Sequence, residues 1–393
     1  MRRLVRPLMR PLTPRTHGFS VVELLVSVVI GMLALVFAMR LITGSEQSKQ
    51  SALGSSDSMQ NGMLAMFSIS GDAQQAGFGL NDPILLGCNT RFTDAGGFTL
   101  APALRDGVTV RPLAPAIIES NGSAPDVISL YSGSSLTGTG TLRVVSDYNG
   151  GTRLDVDRVP YGFSRGDVVV VAPEDQAGDC ALAQISQQPD SSTWVMVAGG
   201  ANFRYNTGSL GPTFRGSRTR LFNLGPAASL SLHTWSVNNG FLRLRSTDMA
   251  GSSAAPATVA DNVVSIKAQY GFDTRTGTAF ENRTGMRVGR WSTTVINADG
   301  QGATGDAGDY EHLAALRIAV VARSKTPERP APNGTCTATT TRPTVFGTEE
   351  PLGVAAVPMS VEVAVPNETA DWRCYRYRVF ETVIALRNAD WKP

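Results

Sequence analysis

Histidine is scarce in this chain: 393 residues include only His17, His233 and His312. A Ser–His–Asp triad would have to draw on the last two, because His17 stands in an arginine-rich leader, and neither sits in a recognisable motif. Cysteine is nearly as rare, at four. None of Cys88, Cys180, Cys336 and Cys374 forms a C-x-x-C pair, so the usual signature of zinc or thioredoxin-like redox chemistry is missing. An even number in an exported chain points to disulfides, with three connectivities open. Pairing sequence neighbours, Cys88–Cys180 and Cys336–Cys374, is the favoured choice. Proline is absent from Ser20 to Asp82, which leaves room for one long helix. A strong net charge is also missing. The total is +2, and the first 18 residues hold five arginines and no acid, so the remainder carries −3. That remainder has no electrostatic footprint for nucleic acid.

What is there begins with an apolar run, Val21 to Leu41, interrupted only by Glu23 and Arg40 among charged residues. Its length suits a helix crossing a bilayer. A secretory signal peptide would be cut after such a run, at small residues. Here the strong small-residue break, Gly18, lies before it. Cleavage there would remove Arg2, Arg3, Arg6, Arg10 and Arg15 and leave the apolar helix as the new N-terminus. Arginines ahead of an apolar segment stay cytoplasmic, so the rest of the chain is expected to face outward.

Past a polar neck, Thr43 to Ser51, the helical pattern resumes. Ala52, Met59, Met63, Met66, Ile69, Ala73 and Ala76 fall at steps of three, four and seven, predicting one face packed against a domain. Ala76-Gly77-Phe78-Gly79 supplies a stop. Beyond Pro83 the pattern turns to short strands, predicted near 126–131, 141–146, 167–172, 181–186, 193–198, 218–224, 229–237, 241–245, 263–271, 315–323 and 375–387. Asn238-Asn239-Gly240 predicts a hairpin turn. Segments 273–309 and 325–348 read as surface loops. The expected fold is α+β, a long N-terminal helix on a β-rich antiparallel head. The expected divisions are a leader at 1–18, an assembly helix at 19–42, the rest of the helix at 43–80 and the head at 81–393.

Candidates for chemistry are few. Gly162-Phe163-Ser164-Arg165-Gly166 fits G-x-S-x-G, but a nucleophile elbow needs a helix after it, and a valine-rich strand follows. Asn297, Asp299, Asp306, Asp309 and Glu311 offer oxygens for calcium without the alternation of an EF-hand loop, and read better as a solvated loop. Arg215, Arg218 and Arg220 read as an exposed edge, and the tryptophans 194, 235, 291, 372 and 391 as core or interface anchors. No metal, cofactor or catalytic residue is expected. Glu23 is different. A carboxylate that early in an apolar helix costs on the order of 1–3 kcal/mol in lipid and is functional by default. After cleavage at Gly18, Phe19 would carry a free amine about one turn away, able to neutralise the carboxylate of a neighbouring subunit and so select partner and register.

Gly18-Phe19-Ser20-Val21-Val22-Glu23 and the apolar run that follows closely resemble the type IV pilin N-terminus, the signal read by prepilin peptidase. That resemblance implies cleavage between Gly18 and Phe19, N-methylation of Phe19 and an assembly role for Glu23. Farther on, 60–62, 74–78, 166–170, 261–271, 316–324 and 379–388 are similar, in order, to the PilW family of minor pilins. The leader is longer and richer in proline than the shortest pilin leaders, and the helix-kinking proline usual in bulk pilins is missing. The resemblance implies a type IV pilin-like fold and a low-abundance subunit of the priming or tip complex, needed for pilus assembly and twitching motility. The implied partners are other minor pilins, a tip adhesin, the major pilin, prepilin peptidase and the inner-membrane assembly platform. The implied location is the bacterial inner membrane, N-terminus cytoplasmic and head periplasmic, and then the surface pilus. A minor pseudopilin of type II secretion, of the GspJ type, shares the processing motif, and a membrane-anchored hydrolase using Ser164 is the reading from another class.

Overall fold

Proline-free sequence does run as one helix, α1 (Val21–Gln75), in a computed structural model that describes residues 20–80, 82–134, 141–176, 178–280, 285–331 and 333–388. Of residues 43, 44, 46–48 and 50–53 only the backbone is described. The leader, the expected cleavage position between Gly18 and Phe19, the side chain of Ala52, and Trp391 lie outside. Two compact units divide between Leu53 and Gly54.

In the second unit, after the helix, come β1 (Thr90–Arg91), β2 (Ala103–Arg105), β3 (Val108–Val110), β4 (Ala116–Glu119) and β5 (Val127–Ser132). Next are β6 (Thr141–Val144), β7 (Arg153–Asp155), β8 (Asp167–Pro173), β9 (Cys180–Gln184) and β10 (Trp194–Met196). Then follow β11 (Thr219–Pro226), β12 (Ser231–Asn238), β13 (Phe241–Ser246), β14 (Ala257–Asp261) and β15 (Val263–Phe272). The chain closes with β16 (Arg290–Ser292), α2 (Ala307–Glu311), β17 (Leu313–Arg323), β18 (Thr344–Val345), β19 (Met359–Ser360) and β20 (Tyr377–Ala385). Each predicted strand has its counterpart. Very short ones, such as β2, β3 and β16, were not predicted, because two or three residues carry no alternation to read. The last lies inside a segment read as a loop.

Three sheets build the head, in strand orders β1-β9-β8-β11-β6, β14-β13-β12-β5-β4 and β16-β15-β17-β20. Neighbours are antiparallel except β1 and β9, which run parallel. The predicted hairpin joins β12 to β13, with Asn239 and Gly240 at φ 50° and 79° as a two-residue turn of this hand requires. Every residue of β15 and β17 is buried. One face of that sheet, with Ile266, Ala268, Ile318, Val320 and Ile384, packs against Ala65, Ile69, Ala73 and Ala76 of the helix. The other, with Val264, Ala319 and Val321, packs under Val345, Phe346, Val361 and Val363. Burial on both faces explains the nearly continuous apolar run of β17, whereas β15 buries Ser265, Lys267 and Gln269 among its apolar residues.

The predicted helix face needs correction. Ile69, Ala73 and Ala76 are buried and Met66 partly so, but Met59 and Met63 are 41% and 51% exposed. The buried line is Gly54, Ser58, Gly62, Ala65, Ile69, Ala73 and Ala76, at steps of three and four. Small residues win because the helix lies close to the sheet. A Cβ at Gly62 would overlap the Phe380 ring of β20, and one at Gly54 would sit 3.0 Å from Ser324. Methionines, the larger side chains, are turned outward. The cysteines join as Cys88–Cys180 and Cys336–Cys374, across 92 and 38 residues.

Candidate assembly helix and its clasp on the head

At the start of α1 the sequence Ser20-Val21-Val22-Glu23 has the S-x-x-E spacing of a capping box, and the structure forms it with the second rather than the third helical N–H on the serine. The Val22 N–H donates to Ser20 Oγ at 3.3 Å, and Glu23 Oε2 reaches back to accept from the Ser20 N–H at 3.1 Å. The S-x-x-E spacing is the sequence signal for this capping role, which is separate from the cost of the Glu23 charge in lipid. Val21–Ile42 is long and apolar enough to cross a membrane, with mean hydropathy 2.7 and none of it buried in the protein. Its leucines, valines and methionines are all exposed. Water-exposed apolar surface of that extent calls for lipid or a partner helix to cover it.

The 54–75 segment is held to the head by a polar clasp as well as by the small-residue line. Asp72 Oδ2 accepts from Trp235 Nε1 at 2.8 Å and meets His233 Nδ1 at 2.7 Å, tying α1 to β12. The other imidazole nitrogen, Nε2, lies 2.9 Å from both Asp248 Oδ1 and Ser231 Oγ. Burial opposes charge on His233, but hydrogen bonds and attraction from Asp248 and Asp72 outweigh it and raise its pKa to about 9. No sequence signal announces this cluster, because Asp72 and His233 are 161 residues apart.

Ser231, His233 and Asp72 have the distances of a Ser–His–Asp triad. Chemistry separates them from one. A general base must be neutral with Nε2 free to accept. Here each ring nitrogen faces a carboxylate, which favours the doubly protonated ring. The clasp therefore holds charge rather than moving protons. Its stability contribution follows a definite sign. The folded pKa lies above the unfolded value near 6.5, so the contribution is complete below pH 6.5 and is lost as pH rises through 9. Raising pH from 6 to 10 is expected to remove about 3 kcal/mol of unfolding free energy, a loss absent from His233→Gln. Denaturant titrations of both proteins across that range check it; parallel pH profiles contradict it.

The other expected sites resolve as follows. Ser164 is exposed in a turn, its N–H donating to Asp167 Oδ2 at 2.8 Å, and β8 follows without a helix. His312 donates from Nδ1 to the Asp273 carbonyl and stacks on Phe280 at 3.6 Å, so neither remaining histidine is bonded to Ser164. Asp299, Asp306 and Asp309 bring carboxylate oxygens within 4.8 Å of one another. The solvated-loop reading is corrected at Asp309, which is fully buried and accepts from the backbone N–H groups of Ala298 and Gly305. Desolvation raises its pKa, against those hydrogen bonds. Asp306 caps α2 instead. Arg220 is not on an edge: β11 is flanked by β8 and β6, and its guanidinium pairs with Glu174 at 2.7 Å. Trp235 and Trp291 are buried core residues.

No curated protein and no solved structure matches the chain. One family model does, over residues 232–388, from the clasp strand β12 through the edge strand β20. Its description is PilW, Type IV Pilus-assembly protein W, and this stretch of the chain is similar to that family.

Proposed function

We propose that the chain is a minor pilin, a structural subunit of the complex that primes or tips the type IV pilus and supports twitching motility. One observation carries the reading: a stretch similar to the PilW family stands on the same chain as a membrane-length apolar helix whose first turn contains the pilin-like Glu23. In this reading the α+β head on its long helix is a pilin-like fold. Residues 1–18 are a leader, 19–42 the membrane and assembly helix, 43–80 its periplasmic half and 81–393 the head. Prepilin peptidase cuts between Gly18 and Phe19, and Phe19 is then methylated. The helix waits in the inner membrane until the assembly platform, the other minor pilins, a tip adhesin and the major pilin draw it into the fibre.

The role of Glu23 divides into two parts that substitution separates. Glutamine keeps the capping box but removes the charge, whereas alanine removes both. Glu23→Gln and Glu23→Ala are each expected to leave processing intact and to lower incorporation into sheared fibres at least ten-fold, as measured by immunoblot. Normal incorporation of Glu23→Gln would assign the residue to capping alone. Scoring surface pili and type II secretion side by side in a deletion strain distinguishes a pilus subunit from a pseudopilin.

A further inference from the structure

Edges of sheets are kept short, bulged or covered in most proteins, because open backbone recruits other strands. In the three larger sheets here, the edge strands β1, β6, β14, β4 and β16 have two to five residues. β20 is the exception. It runs for nine residues, without proline, and pairs with β17 with no shift of register. Its ladder also reveals which groups are free. Leu386 N–H donates to the Ala314 carbonyl and Ser324 N–H to the Arg376 carbonyl, both in register with the strand pairing. Directly opposed bonded pairs alternate with unbonded ones in an antiparallel ladder. Arg378, Phe380, Thr382 and Ile384 therefore turn their backbone groups to β17. Those of Val379, Glu381, Val383 and Ala385 point away, and no other backbone group among the described residues meets them.

We propose that this open edge of β20 receives an added β-strand from a different chain. A second copy fits poorly. Glu381, the one carboxylate that a second copy's β20 could bring to Arg378, is already engaged by the Arg317 guanidinium and the Phe346 N–H. Strand addition is driven by main-chain bonds, with side chains choosing the partner. Arg378 is exposed, reaches only the Ser55 hydroxyl at 2.5 Å, and has no ion pair with a described carboxylate. The matching segment is extended and apolar in alternation, and carries a carboxylate beside Arg378.

This inference takes its partner class from the assembly reading, and its test is independent of fibres. The full-length chain, in the membranes of its own cells, carries a photoreactive benzoylphenylalanine at Val379 or Ala385. Expected is an adduct with a heterologous chain, reduced at least ten-fold by Val383→Pro, which removes an outward N–H without breaking the β17 ladder. Val379→Pro with the probe at Ala385 serves as the second variant should Val383→Pro melt abnormally. The absence of any adduct would overturn the proposal. So would an adduct of twice the chain's mass, or one unaffected by both prolines. Fibre incorporation of the wild type tests the assembly reading separately.

Discussion

Replacing Lys267 with alanine is expected to lower the unfolding free energy by about 3–5 kcal/mol, the cost of stranding a buried charge. Lys267 and Asp126 are both fully buried and paired. The ammonium has three acceptors, the Asp126 carboxylate and the carbonyls of Gly122 at 2.8 Å and Ala124 at 2.9 Å. The carboxylate in turn accepts from the N–H groups of Asn121 and Ala268, each at 3.0 Å. Together they fasten the 121–126 turn to β15. Desolvation already raises the Asp126 pKa against these contacts. Without Lys267 the carboxylate must take up a proton or stay buried as an unpaired anion. Lys267→Met combined with Asp126→Asn removes both charges and is expected to recover more than half of the loss. Denaturant unfolding of the three proteins checks this; a cost below about 1 kcal/mol for Lys267→Ala contradicts it.

Replacing Cys88 and Cys180 together with serine is expected to cost about 4–5 kcal/mol, from the entropy of closing a 92-residue loop in the unfolded chain. The bridge fixes the segment that leaves the helix to β9, beside the parallel pairing of Thr90 with Cys180. Both cysteines are buried, so serine adds the cost of a hydroxyl in an apolar cluster. The same treatment of Cys336 and Cys374, which close 38 residues, is expected to cost about 4 kcal/mol or less. Unfolding midpoints measured without reductant decide both size and order. Equal stability of the Cys88/Cys180 variant and the wild type would contradict the expectation.

Legibility in the sequence followed the range of the interactions involved. Local patterns succeeded: the proline-free helix, the Asn239-Gly240 turn and the long buried strands β8, β15 and β17 all carry their signals within a few residues. Signals that depend on what packs opposite did not. The methionines on α1 looked like its buried face, yet Phe380, more than 300 positions away, admits only glycine at 62. His233 looked like a stray histidine until Asp72 and Asp248 were placed around it. The open edge of β20 follows from strand order, which no local pattern encodes. Glu23 stands between these cases, since the capping partner is three residues away while the assembly partner proposed for it belongs to another subunit.

The most direct test of the pilin reading is the mass of the mature N-terminus. Peptide mass spectrometry of the chain from its own cells is expected to find N-methylated Phe19 as the first residue. An intact leader beginning at Met1, or a cut after Leu41, would contradict a subunit that carries its apolar helix from the membrane into a fibre.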